Sequence, residues 1–219
     1  PGRIIASYVD SLLTWGVQVA AHTGIGSPEH LRGVPYAISR PNSGSHLAAL
    51  SYARGKGWPL GESDLVVVND LKGALERLAQ SEPIAFLWEE FTTKPYVDEG
   101  ALRKVDEYTT TWPSFVIVAT EAVLEAHPKE TERLLKVIRD QVSGLMAKKA
   151  APEVFAQRYK MPLADAQEWF NGVRWNTGAP LTERTLASIV ATLRDAGFAG
   201  LPSAGEDLAE RLLWQAPRP

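Results

Sequence analysis

Three short apolar runs separated by helical stretches constrain this chain more than any other feature of its sequence. Tyr36-Ala37-Ile38, Leu65-Val66-Val67-Val68 and Ile84-Ala85-Phe86-Leu87-Trp88 are nearly continuous in apolar residues and carry β-branched members. Strands buried on both faces read this way. Between the first two lies a helical stretch, Ser45–Arg54, closed by Gly55 and Gly57. Between the next two, Leu71–Gln80 places Leu71, Leu75 and Leu78 on one face, with Asn69 or Asp70 as cap. The pattern is β-α-β-α-β, which demands a parallel sheet with right-handed crossovers.

Two further strand candidates, Trp15–Ala20 and Phe115–Ala119, flank that unit. After Thr120 the pattern turns helical. Pro128 fits the first turn of a helix lined by Leu135, Ile138, Val142 and Leu145. Thr182 fits the cap of another, carrying Leu186, Ile189, Val190 and Leu193 and stopped by Gly197. Phe155, Tyr159, Trp169 and Phe170 mark short helices between these two. The tail Glu206–Trp214 reads as a last amphipathic helix and 216–219 as a frayed end. The expected organisation is a first crossing strand with part of a first lobe in 1–31, an α/β lobe in 32–108, and a return strand with a helical part in 109–219. A lobe inserted between two strands that both leave another lobe is the plan of a hinged two-lobe binder.

Composition removes several function classes. With 23 Lys+Arg against 26 Asp+Glu, the formal charge of −3 argues against a chain built to hold nucleic acid. No cysteine is present, so a disulfide framework, a thiolate nucleophile and a cysteine-held zinc or cluster are excluded. The four histidines, His22, His30, His46 and His127, do not fall at metal-ligand spacings. Gly24-Ile25-Gly26 and Gly55-Lys56-Gly57 lack the third glycine of a dinucleotide fingerprint, and no phosphate-binding loop or Gly-x-Ser-x-Gly elbow occurs. Nothing implies a cofactor. The longest stretch free of charged residues, Ser11–Pro28, is too interrupted to span a membrane. The opening residues show no export signal.

Three segments carry candidate chemistry. In Ser39-Arg40-Pro41-Asn42-Ser43-Gly44-Ser45-His46 a strand ends, a turn follows, and a helix begins with small hydroxyl residues. Free N–H groups at a helix start make an anion site, to which Ser43, Ser45 and His46 add donors while Gly44 permits close approach. Plain N-capping by Ser43 or Ser45 explains the same residues. In Trp88-Glu89-Glu90-Phe91-Thr92-Thr93-Lys94-Pro95, Glu89 or Glu90 is placed to accept from a ligand with Trp88 as a wall, or else to sit at a helix start. Thr14-Trp15-Gly16 and Thr111-Trp112-Pro113-Ser114 supply indoles just before each crossing strand, suited to a heteroaromatic or cationic group.

In this order and spacing, the Ser-Gly-Ser-His turn, the Trp88–Pro95 run and Thr111-Trp112-Pro113-Ser114-Phe115-Val116-Ile117 resemble type II periplasmic-binding-protein-like solute binders. The similarity is to the branch of nitrate, sulfonate and taurine receptors and of the thiamine-precursor (NMT1/THI5-like) proteins. It covers approximately Ile4 to Leu193. The resemblance implies a Venus-flytrap fold whose small-molecule ligand lies between lobes and is passed to the permease of an ABC importer, outside the cytoplasm. It places Trp15, Asn42, Ser43, Gly44, Ser45, His46, Trp88, Glu89 and Trp112 at the ligand and implies no catalytic residue.

Relative to that family the chain lacks an opening β-α-β-α-β stretch, so the first lobe is expected to be incomplete. Apolar faces of Phe115–Ala119 and of later helices are then expected to be exposed, and either a homodimer covers them or the lobe is rearranged. Two rival readings remain: an enzyme of small organic molecules with Glu89 as base and His46 as acid, and a structural or regulatory remnant without ligand.

Overall fold

The computed structural model describes residues 1–198, 201–202 and 207–215. The start of the expected last helix at Glu206 and the expected frayed end 216–219 lie outside the described residues. The elements are, in chain order, β1 (Gly2–Ala20), β2 (Tyr36–Ile38), α1 (Gly44–Gly55), β3 (Leu65–Val67), α2 (Leu71–Leu78), β4 (Ala85–Glu89), α3 (Glu90–Asp98) and β5 (Leu102–Thr120). There follow α4 (Glu121–Ala126), α5 (Pro128–Ala147), α6 (Ala151–Tyr159), α7 (Leu163–Gly172), α8 (Glu183–Asp195) and α9 (Leu208–Leu212). The strands order as β3-β2-β4-β1-β5. The β2–β3 and β2–β4 pairs are parallel, as the β-α-β-α-β pattern requires, and β1 runs antiparallel to β4.

The chain forms two compact units. One comprises Leu13–Thr110 with Thr192–Ala199; the other comprises Pro1–Leu12, Thr111–Ala191 and Gly200–Pro219. The chain therefore passes from one unit to the other inside β1, inside β5 and inside α8. The segment 1–31, expected as one piece, is shared between the units, because Val17, Val19, Ile25 and Leu31 are core residues of the α/β unit. The end of α8 likewise belongs to that unit, where the Asp195 carbonyl accepts from the Arg54 guanidinium.

In the α/β unit, strand alternation sorts the apolar runs onto two faces. Val17, Val19, Tyr36, Ile38, Ala85 and Leu87 pack with Ala48, Ala49, Tyr52 and Ala53 of α1. Ala20, Ala37, Ile84, Phe86 and Leu102 pack with Ala74 and Leu78 of α2. Both sides of the sheet are covered, which is why these strands read as unbroken apolar runs. Burial of each large side chain in such a core contributes roughly 1.5–3 kcal/mol. Asp70 caps α2 by accepting from Gly73 N at 2.8 Å.

The other unit joins the first part of β1 and the last part of β5 to a helical layer. Pro128 occupies the first turn of α5, and Leu135 and Val142 bury its apolar line. Thr182 caps α8 through Thr185 N at 3.1 Å, with Leu186 and Val190 buried and Gly197 left-handed just beyond the end. Phe155 of α6 gathers Tyr159, Trp169, Phe170 and Trp175 around itself at ring-centroid separations of 4.9–6.4 Å. Asn176, buried, binds Ser7 and Asp10 of β1.

Candidate functional site

The turn after β2 is built on hydroxyls. Ser43 Oγ accepts from His46 N at 3.2 Å and caps α1. Ser45 Oγ accepts from Ser39 N at 2.9 Å and lies 3.1 Å from both Ser39 Oγ and Ser43 Oγ. All three serines are buried. Two O···O contacts use at most two of the three hydroxyl protons, so one O–H remains to donate elsewhere. Among the described residues no hydrogen bond takes up the N–H of Gly44 or Ser45. The first turn of a helix leaves such donors free, and its dipole favours negative charge in front of them.

Asn42 stands in the left-handed region at φ 60° and donates its N–H to His46 Nδ1 at 3.0 Å. With Nδ1 accepting, a neutral His46 carries its proton on Nε2. Burial lowers the pKa of His46, because desolvation penalises the imidazolium. Its ring lies 5.3 Å from that of Phe198, beyond the end of α8. Sequence reasoning missed Phe198, since a residue after a helix stop carries no periodic signal.

Trp15 comes to the same turn. A Cβ built on Gly44 would stand 3.3 Å from Trp15 Cη2 and 3.4 Å from Cζ2, so the glycine lets the indole lie against the helix start. Trp15 Nε1 is buried without a hydrogen-bond partner. Trp15 pairs across the sheet with Glu89, and Gly16 with Trp88. Its ring meets Trp88 edge-on at 6.5 Å, and Trp88 stacks on Phe86 at 5.1 Å. The carboxyl ends of β2 and β4 thus meet β1 at one aromatic corner.

Glu89 caps α3. Its oxygens accept from Phe91 N at 3.2 Å, Thr92 N at 2.8 Å and Thr92 Oγ1 at 2.6 Å. Glu90 instead pairs with Lys104, which also meets Glu107. Gln18, fully buried, donates from Nε2 to Thr93 Oγ1 at 3.0 Å, leaving its Oε1 without a partner. A Cβ on Gly16 would clash with that amide at 2.4 Å. Gln18 of β1 and Thr93 of α3 are buried polar residues that a search for apolar strands passes over.

The structure therefore brings together Trp15, Asn42, Ser43, Gly44, Ser45, His46, Trp88 and Glu89 in the α/β unit. Trp112 belongs to the other unit, where it is buried in β5. That unit also contains a cavity of about 490 Å³ lined by residues including Arg3, Glu121, Leu124, Pro128 and Trp214. It includes none of the expected site residues. Among the described residues no group of three or more His, Asp or Glu could hold a metal ion, and no helix is long and apolar enough to cross a membrane.

Residues 15–108 match a family model described as Ca3427-like PBP. No curated protein matches the sequence. Solved structures do. The Candida albicans CA3427 gene product, described as having the generic periplasmic binding protein fold, aligns with TM-score 0.82 and 23% identity over 92% of this chain and 68% of its own. The alkanesulfonate-binding protein SsuA from Xanthomonas axonopodis pv. citri, bound to MOPS, aligns with TM-score 0.70 and 14% identity over 96% and 73%. The periplasmic aliphatic sulphonate binding protein SsuA from Escherichia coli aligns with TM-score 0.59 and 14% identity over 96% and 70%. The two SsuA proteins are named as sulfonate-binding proteins. In fold, this chain is a type II periplasmic-binding-protein-like protein.

Proposed function

We propose that the chain is a non-catalytic solute-binding protein that takes an anionic or strongly hydrogen-bond-accepting head group at the Asn42–His46 turn. The observation that carries this reading is the set of donors there: the N–H groups of Gly44 and Ser45 and one uncommitted serine hydroxyl, beside the Trp15 indole, whose buried N–H has no hydrogen-bond partner. Donors held in place before the ligand arrives recognise an anion without reorganisation. Trp15 and Trp88 offer flat apolar walls for the remainder of the molecule, and Glu89 orients the β4 end as the cap of α3.

Sulfonates and related anions are the favoured class, because the structurally similar SsuA proteins are named for alkanesulfonate binding. A thiamine precursor is the alternative ligand within the same reading. By that resemblance the partner is an ABC-type importer permease and the site of action is outside the cytoplasm. The enzyme reading is less favoured: three donors commit the Glu89 carboxylate to a helix start, and His46 Nδ1 is engaged by Asn42.

Thermal-shift titration with taurine, alkylsulfonates, nitrate and thiamine precursors tests the proposal, on wild type and on Gly44→Val. Saturable stabilisation by one class without turnover, lost in Gly44→Val because the new side chain displaces Trp15, is the expected result. Turnover of any panel member, or no stabilisation across the panel, contradicts it.

A further inference from the structure

Three buried serine hydroxyls form a chain at the ligand turn. Ser39, Ser43 and Ser45 are 7%, 6% and 2% exposed, so their protons and lone pairs must be met within the protein or by a ligand. A hydroxyl has one proton and two lone pairs. Ser39 N fills one lone pair of Ser45 Oγ, which leaves one lone pair and one proton for Ser39 Oγ and Ser43 Oγ, each 3.1 Å away. Ser45 therefore accepts from one neighbour and donates to the other, and the chain has two directions. Run from Ser39 to Ser43, it fills both lone pairs of Ser43 Oγ, one from Ser45 and one from His46 N, and leaves the Ser43 proton uncommitted. Run the other way, it opens a lone pair on Ser43 and strands the proton of Ser39, whose hydroxyl has no partner but Ser45 Oγ among the described residues. A buried donor left without an acceptor is costly.

We infer, on the reading of this turn as the ligand site, that Ser45 acts through Ser43 to select head groups that bring acceptors only. Ser43 caps α1, so its uncommitted proton stands at the same helix start as the free N–H groups of Gly44 and Ser45. A sulfonate, carboxylate or nitrate oxygen takes that proton and keeps the chain running from Ser39 to Ser43. A head group with a hydroxyl proton of its own, such as a phosphonate monoanion, meets a Ser43 oxygen with no lone pair to offer. It fits only if the chain reverses and strands the Ser39 proton, or if its own hydroxyl turns away from the serine. A sulfonate and a phosphonate monoanion carry the same charge on similar tetrahedral heads, so the helix dipole does not separate them. Ser45 is a positioning residue: its hydroxyl proton goes to Ser43 and not to the ligand.

Calorimetric titration with ethanesulfonate and with ethylphosphonate, buffered below the second pKa of the phosphonate, tests this, with the Gly44 and Ser45 amide signals followed in parallel. In the wild type the sulfonate is expected to bind about fivefold more tightly or better, with both amides moving. Ser45→Ala opens a lone pair on Ser43, and the two affinities are expected to come within about twofold of each other. In a Ser43→Ala background the same change is expected to leave their ratio where it stands, which a merely structural role of Ser45 does not require. Equal affinities in the wild type with both amides moving, a ratio that survives Ser45→Ala, or a further change of the ratio in the Ser43→Ala background overturns the inference while the ligand turn stands. If neither compound moves the two amides, the ligand turn falls and the inference with it.

Discussion

His46 shows how one side chain can be fixed by its neighbours before any ligand is considered. Asn42 N, donated from a left-handed residue, holds Nδ1, and burial disfavours the imidazolium. Its pKa lies below the ordinary histidine range in the folded chain, so on acidification the unfolded chain takes up the proton first. Stability contributed by the neutral ring is present above that range and is lost as pH falls through it towards the lower folded value. Melting temperature should therefore fall between about pH 7 and about pH 5, and fall less in His46→Gln, whose amide oxygen still accepts from Asn42 N. Equal slopes for the two proteins would show that the imidazole contributes nothing to the pH response. The same scale explains why Gly44 is not an ordinary helix residue: the Trp15 ring lies within van der Waals reach of its missing Cβ.

Among the elements, α2 depends most visibly on a single position. Gly73 lies in its first turn, donates to the Asp70 cap, and would bring a Cβ to 2.0 Å from the Val68 carbonyl oxygen. Alanine would gain up to about 1 kcal/mol in helix propensity. The clash with fixed backbone costs more, so Gly73→Ala should lower unfolding free energy by about 1–3 kcal/mol, read from the urea midpoint at constant slope. An unchanged or raised midpoint would mean that α2 shifts away from β3 at little cost. Strands 36–38 and 85–89 were legible because most of their residues are buried on both faces, and 65–67 was legible as a short apolar run although Val67 is exposed. β1 and β5 were legible only in part. Ser7, Asp10 and Thr14 interrupt the apolar signal in β1, and Arg103, Lys104, Asp106 and Glu107 do so in β5. Those residues are satisfied by partners distant in sequence, such as Asn176 for Asp10 and Tyr52 and Lys56 for Asp106. Capping by Ser43 and Asp70 followed from local chemistry. The convergence of Trp15 on Gly44, and of Phe198 on His46, required the β1 register and the course of α8.

For the whole molecule, the proposed ligand turn falls within one of the two units. The donors and indoles of the proposed ligand turn belong to the α/β unit, whose sheet is covered on both faces. The exposed side chains Phe115, Val116 and Val118 of β5 belong to the other. The central claim concerns two backbone amides. With ¹⁵N-labelled protein and the panel compound that gives the largest thermal shift, the Gly44 and Ser45 amide signals should move downfield together. They should saturate at the dissociation constant found by calorimetry. Amide signals of Gly44 and Ser45 that stay fixed while the protein saturates with that compound would place the ligand elsewhere and contradict the account.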